Sequence, residues 1–190
     1  MARPIRKRSH IERGVVEVVS RKGLHAATIQ DIAEAARVSP GLLYRYWNNR
    51  DDLAADVYRE HALSLLGRLS ACAATVSDPW DKLRVMLHEF LKFADERPVI
   101  LRFLLLSQHE LNRKMPEGRG VYALVLRLVQ EGMSKRRFRR MDAGLAVYLA
   151  LGVALQPVIG SFYGHVSVPL SAHAAEVYGA LRRMLAVEAK

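Results

Sequence analysis

A chain of 190 residues and 21.4 kDa has room for one large or two small domains, and 51% hydrophobic residues are enough for a sizeable core. With 29 Lys/Arg against 19 Asp/Glu, its formal charge of +10 and pI of about 10.1 suit a polyanionic partner. The single cysteine, Cys72, excludes an internal disulfide, reads as a small core residue and suits a reducing cytoplasm.

The first ten residues, MARPIRKRSH, are basic but lack the apolar stretch of a secretory signal. Residues 1–9 read as a basic arm. Its Arg3, Arg6, Lys7 and Arg8 either follow phosphates or a minor groove, or belong to a solvated tail. The charge excess lies at this end. Residues 1–50 hold ten Lys/Arg against four Asp/Glu, and residues 51–190 hold nineteen against fifteen.

Residues 28–53, TIQDIAEAARVSPGLLYRYWNNRDDL, carry the strongest pattern. Thr28 caps a helix, and Asp31, three residues on, reaches back as in a capping box. Ile29, Ile32, Ala33 and Ala36 then fall on one apolar face. Arg37-Val38 forms a turn, Ser39 is an N-cap, and Pro40 occupies the first helical position, where its missing N–H costs nothing. The second helix covers 41–47 and turns Leu43 and Trp47 inward with Val38. Its start, Ser39 to Gly41, and the face with Tyr44 and Arg45 remain for a groove. Gly41 permits close approach, and the helix N-terminus offers free N–H groups to phosphate. Two short helices joined in this way form a helix-turn-helix built to enter DNA.

Further helices are expected over 51–74 (Leu53, Val57, Leu65 and Leu69 inward), from Ser77-Asp78-Pro79 to 96, and over 99–112 after an Arg97-Pro98 break. A loop at 114–118 precedes a helix over 119–136. Met141-Asp142 caps a long apolar helix to 163, and Ser171 caps the last one, to 187, after a loop at 165–170. No segment alternates at period two for long, so the chain is expected to be all-α. The run from Lys135 to Arg140 reads as a solvated loop anchored by Phe138, or as a second contact for DNA or an acidic ligand.

Residues 143–163 contain no formally charged side chain and are long enough to cross a bilayer, with Lys135, Arg136, Arg137, Arg139 and Arg140 on one flank. Gln156, Pro157 and the glycines 144, 152, 160 and 164 speak instead for close packing in a soluble bundle. Nothing argues for an enzyme. His88-Glu89 and His109-Glu110 lack the second histidine of a zinc-helix motif, and no phosphate-cradling loop or Gly-x-Ser-x-Gly elbow is present. Seven scattered histidines do not suggest a metal site, and no cofactor is expected.

On Thr28, Asp31-Ile32-Ala33, Ala36, Val38-Ser39, Gly41, Leu43-Tyr44, Tyr46 and Asp52-Leu53, the chain resembles the TetR family of bacterial transcriptional regulators. Residues 11–23 fit that family's first helix, and the specific match covers about 10–60. Three residues depart from the pattern. Arg37 stands where a turn glycine is usual, which implies either a left-handed arginine at a cost of about 1 kcal/mol or a slightly different turn. Trp47 replaces a usual Phe, and Arg50 a usual Lys.

The resemblance implies a three-helix DNA-binding domain over 1–50 and a helical effector-binding and dimerisation domain over 51–190. It implies that Tyr44 and Arg50 hold phosphates, with Arg37 as a further phosphate contact. Thr28 and Ser39 would offer hydroxyls and helix N-termini, and Gln30, Pro40, Gly41, Arg45 and Tyr46 would lie nearest base edges. An effector would enter the bundle beside His88, His109, Tyr122, Gln156 and Tyr163, lined by Leu91, Phe103, Leu106 and Leu126. The last two long helices would pair with those of a second copy, through Leu145, Leu149, Tyr178, Leu181 and Leu185. The expected protein is a cytoplasmic, ligand-responsive homodimer, more often a repressor than an activator, that binds a palindromic double-stranded operator. It would be released by a small hydrophobic effector, with no membrane involved. The alternatives are a constitutive DNA-binding protein without an effector and a membrane-anchored helical protein held by 143–163.

Overall fold

The computed structural model describes residues 7–111 and 120–187, and among them no strand occurs. The helices are α1 (Arg8–Lys22), α2 (Ile29–Ala35), α3 (Pro40–Tyr44), α4 (Arg50–Ala73), α5 (Pro79–Glu96), α6 (Pro98–Leu111), α7 (Val121–Ser134), α8 (Ala143–Phe162) and α9 (Ala174–Leu185). The fold is all-α, as the periodicity required. The expected loop at 114–118 lies outside the described residues, as do Arg3 and Arg6.

Local chemistry sets the boundaries. Asp78 caps α5 through the Trp80 N–H at 2.8 Å, with Pro79 at the first position. Pro98 then opens α6 after the non-helical Arg97 (φ −138°, ψ 53°), which is the expected break. Asp142 caps α8 through the Leu145 N–H at 2.7 Å. One boundary differs from expectation. Ser171 does not cap the last helix but lies in a 3-10 turn, Leu170–His173, and α9 starts at Ala174. The reason is Asp95 on α5, whose carboxylate accepts the Leu170 N–H at 2.6 Å and the Ser171 N–H at 2.9 Å. Burial alone would raise the Asp95 pKa, but the hydrogen bonds from Ser171 and Leu170 outweigh it and hold the carboxyl below its ordinary range.

The chain divides into two compact units, Met1–Leu63 with Pro98–Pro116, and Ser64–Arg97 with Glu117–Lys190. In the first, α1 packs on α2 and α6, burying Ile11, Val15, Val18, Ile32, Leu101 and Phe103. The Phe103 ring meets Tyr58 edge-on at 6.2 Å. Gly14 lets α1 cross close to α2: a Cβ there would stand 2.9 Å from the Ala36 nitrogen and 3.1 Å from the Ile32 oxygen. In the second unit, α5 packs with α7 and α9, and α7 with α8, burying Leu87, Leu91, Val129, Val147, Leu181 and Leu185. Phe138 anchors the basic 135–140 loop, buried edge-on against Trp80 at 4.5 Å and seated on Gly132, where a Cβ would collide with its ring.

Candidate nucleic-acid interface

The capping box at Thr28 forms with both of its bonds. The Thr28 hydroxyl accepts the Asp31 N–H at 3.1 Å, and the Asp31 carboxylate accepts the Thr28 N–H at 3.0 Å. Lys22 donates to the same carboxylate at 2.7 Å. Together, the Lys22 ammonium and the Thr28 donors lower the Asp31 pKa to about 2. The negative charge therefore stays at the positive end of α2 at any ordinary pH.

The turn closes through Ala36 N–H to Ile32 O at 2.9 Å, Arg37 N–H to Glu34 O at 3.0 Å and Val38 N–H to Ala33 O at 2.9 Å. Arg37 has φ 54°, so the arginine does take the left-handed conformation that glycine would adopt without strain. Its side chain is exposed. Ser39 caps α3 by accepting the Leu42 N–H at 3.3 Å, with Pro40 at the first position. The helix is shorter than the expected 41–47. It ends at Tyr44, and the Tyr46 and Trp47 N–H groups both return to Leu43 O at 3.0 Å.

Leu43 and Trp47 are buried, while Thr28, Gln30, Arg37, Ser39, Pro40, Gly41, Tyr44, Arg45 and Tyr46 are exposed. Neither Arg37 nor Arg45 has a carboxylate partner among the described residues. The Gly41 backbone is open, with nothing near the position a Cβ would take. A capped helix start, an unobstructed backbone and free guanidinium groups can meet phosphates and base edges together.

Two arginines that the pattern assigned to DNA have partners within the chain. Arg50 points back into its own unit. One terminal nitrogen donates to His25 O at 3.0 Å and Ala27 O at 2.9 Å, and Nε and the other terminal nitrogen hold Asp51 at 2.8 and 2.5 Å. It is an anchor for the 23–27 loop. Arg8 is not part of a loose arm. It opens α1, pairs with Glu12 at 2.6 Å, Glu60 at 2.8 Å and Asp56 at 3.1 Å, and covers the Trp47 ring at 5.7 Å. The Trp47 indole N–H donates to the same Asp56 at 3.1 Å. The spacing of Asp56 and Glu60, four apart on α4, was the available signal for this cluster.

The residues expected to bind an effector are dispersed. Phe103, Leu106 and His109 belong to the first unit, and His88, Leu91, Tyr122, Leu126, Gln156 and Tyr163 to the second. Phe103 and Leu91 are buried, Leu126 is half-buried, and the other six are exposed. A groove of about 530 Å³ in the second unit is lined by none of the nine. Of the residues expected at a subunit interface, Leu145 and Leu149 are 53% and 40% exposed, beside Tyr148 at 68%. Leu181 and Leu185 are buried in the chain's own core, and the Tyr178 hydroxyl donates to Trp80 O at 3.1 Å.

Comparison with known proteins agrees with this geometry. Residues 13–57 match the family model for bacterial regulatory proteins of the tetR family. The fatty acid metabolism regulator protein of Bacillus subtilis (strain 168) is 26% identical over 143 residues, 72% of this chain and 74% of the relative. In fold, the chain is similar to the fatty acid degradation regulator FadR of Bacillus halodurans, with TM-score 0.81, 24% identity, and coverage of 95% of this chain and 96% of that one. It is also similar to Bacillus subtilis FadR in complex with stearoyl-CoA, with TM-score 0.80, 20% identity, and coverage of 91% and 96%.

Proposed function

We propose that the chain, whose residues 13–57 match the tetR family model, is a TetR-type transcriptional regulator, a cytoplasmic homodimer that represses transcription until a long-chain acyl effector releases it from DNA. The capped helix-turn-helix carries this reading: its apolar side is buried and Gln30, Pro40, Gly41, Tyr44, Arg45 and Tyr46 are exposed together. Residues 1–50 read DNA, and residues 51–190 bind the effector and pair the subunits. Arg45 reads a base edge, because its guanidinium can engage guanine through two hydrogen bonds. Tyr44, Arg37 and the α3 N-terminus hold phosphates.

The acyl class is supported by similarity to the Bacillus subtilis fatty acid metabolism regulator and to Bacillus subtilis FadR bound to stearoyl-CoA. The protein acts by binding, not catalysis. The exposed face of α8, with Leu145, Tyr148 and Leu149, forms the seam between copies, and the buried Leu181 and Leu185 of α9 serve the subunit's own core. Effector binding favours a dimer geometry that no longer fits two half-sites, so DNA must weaken effector binding by the same factor.

Selection of bound genomic fragments at physiological salt, with sequencing, tests the DNA half of the reading. A two-fold-symmetric motif is the expected result, and salt-sensitive binding without a motif would replace the regulator by a constitutive DNA-binding protein. Sedimentation tests the seam. A soluble dimer supports it, whereas pelleting with membranes and a requirement for detergent would place α8 in a bilayer. Titration of the operator complex with stearoyl-CoA tests the switch, and unchanged operator affinity at saturating ligand would refute it.

A further inference from the structure

The groove in the second unit opens between the last turn of α4, the start of α5 and one face of α7. Its volume of about 530 Å³ lies in the range of small-molecule sites. One wall is apolar, built from Ala73, Met86, Leu124 and Leu128. The rim is cationic, with Lys82, Arg127 and Lys135 around a single carboxylate, Glu131. Glu131 accepts from Lys82 at 2.8 and 2.9 Å and from Lys135 at 2.6 Å. Arg127 is exposed and has no carboxylate partner among the described residues.

Three cations against one carboxylate leave a formal surplus of two positive charges. The donors are also in surplus. Each ammonium has three, of which Lys82 spends two and Lys135 one on Glu131, and the Arg127 guanidinium offers five. Glu131 thus fixes the ammonium groups without using them up. The backbone after Lys135 is held by main-chain hydrogen bonds. Gly132 O accepts the Arg137 N–H at 2.8 Å and the Phe138 N–H at 3.0 Å, and Arg136, just before them, turns the chain at φ 55°.

We propose that this groove binds a small phosphorylated amphiphile, its apolar end against Ala73, Met86, Leu124 and Leu128 and its phosphate held by Lys82, Arg127 and Lys135. The inference deepens the effector reading and rests on it, giving the effector a place and a head group. A phosphate monoester carries about −1.5 to −2 charges at neutral pH and matches the surplus. A fatty carboxylate carries one and leaves a cation unanswered. A polymeric anion would make no use of the apolar wall.

Calorimetric titration of the purified full chain decides it, with dodecyl phosphate below its micelle concentration, dodecanoate, inorganic phosphate and dodecyl maltoside as probes. Dodecyl phosphate is expected to bind at least about tenfold more tightly than the other three. Arg127→Glu and Lys135→Glu, at exposed positions, should each weaken it by about tenfold or more. Arg84→Glu, at an exposed arginine paired with Asp81 outside the groove, should not. Matching thermal melts confirm that the variants fold, and each groove reversal carries the test without the other. Equal affinity in all variants, equal affinity for dodecyl maltoside, or no binding of dodecyl phosphate overturns the proposal. Operator binding separates the two levels. Dodecyl phosphate that binds through Arg127 without changing operator affinity keeps the site and refutes the effector reading. Stearoyl-CoA that releases the operator equally from wild type and both reversals keeps the effector reading and refutes the site.

Discussion

Arg50→Ala should destabilise the DNA-reading unit and weaken binding to every sequence alike. Four of the five guanidinium N–H donors are engaged, two on the carbonyls of His25 and Ala27 and two on Asp51. The Asp51 pair is exposed and contributes about 0–1 kcal/mol. His25 is exposed, so water can replace the arginine at its carbonyl. Ala27 is buried, and its carbonyl would be left with poor access to solvent, a cost of about 1–3 kcal/mol. A net loss of about 2 kcal/mol follows, and a drop in Tm of about 4–8 °C for a chain of this size. Thermal denaturation measures the first part, and operator binding across a salt series measures the second. With the guanidinium committed to the protein, the slope of log K against log salt should change by much less than the roughly 0.9 that accompanies one lost phosphate contact. An unchanged Tm together with a slope reduced by about 0.9 would refute the anchoring role and make Arg50 a phosphate contact.

Arg45→Ala, at an exposed side chain with no partner, should leave Tm unchanged, cost about 1–3 kcal/mol on the matched operator and almost nothing on mismatched ones; equal losses on both would remove it from base readout. Gly14→Ala puts a Cβ 2.9 Å from the Ala36 nitrogen, so α1 and α2 must part, and denaturant titration should find a loss of about 1–3 kcal/mol. Gly41→Ala meets open space, so it should leave stability unchanged or slightly raised and affect only DNA affinity. The Asp95 carboxyl is held below its usual pKa of about 3.9, so its contribution is complete above about pH 5 and is lost as pH falls through the folded-state value. Asp95→Asn should flatten that part of a stability–pH profile, and an unchanged profile would show that the 3-10 turn does not depend on the charge.

The reading head was legible because its signals are local. Thr28 with Asp31, and Ser39 with Pro40, announce helix starts within four residues, and the apolar set Ile29, Ile32, Ala33, Ala36 and Leu43 is buried as the spacing required. Non-local pairings were not legible. Arg8 lies far along the chain from Glu60, and nothing in MARPIRKRSH distinguishes an arginine that enters an acidic cluster from its neighbours. The same limit applies to Asp95, which holds Leu170 and Ser171 in a 3-10 turn, so that the last helix starts two residues later than a Ser171 cap implies. Arg50 was legible as a cation but not as an anchor, because its partners are backbone carbonyls, which any residue can supply.

The case of α8 shows why burial, not composition, must decide an apolar helix. The 143–163 segment reads equally as a core helix, a bilayer span or a seam, because periodicity fails when both faces are apolar. Only 22% of the residues in the apolar window of α8 are buried, which sets aside the core reading for most of its length. The buried residues are Ala146, Val147, Ala150 and Val158, mostly small, so the helix lies close to its neighbours on that side. The exposed residues Leu145, Tyr148 and Leu149 are larger, fall three and four apart, and share one face, with Tyr148 already against Tyr122 at 5.5 Å. Small residues inward and large ones outward is the reverse of what an isolated soluble chain requires. Each large outward side chain would gain about 1.5–3 kcal/mol on full burial. In the proposed dimer, a second copy would supply that burial by presenting the same face about a two-fold axis. The proposed seam is therefore centred on α8, because Leu181 and Leu185 of α9 are already buried within the chain itself.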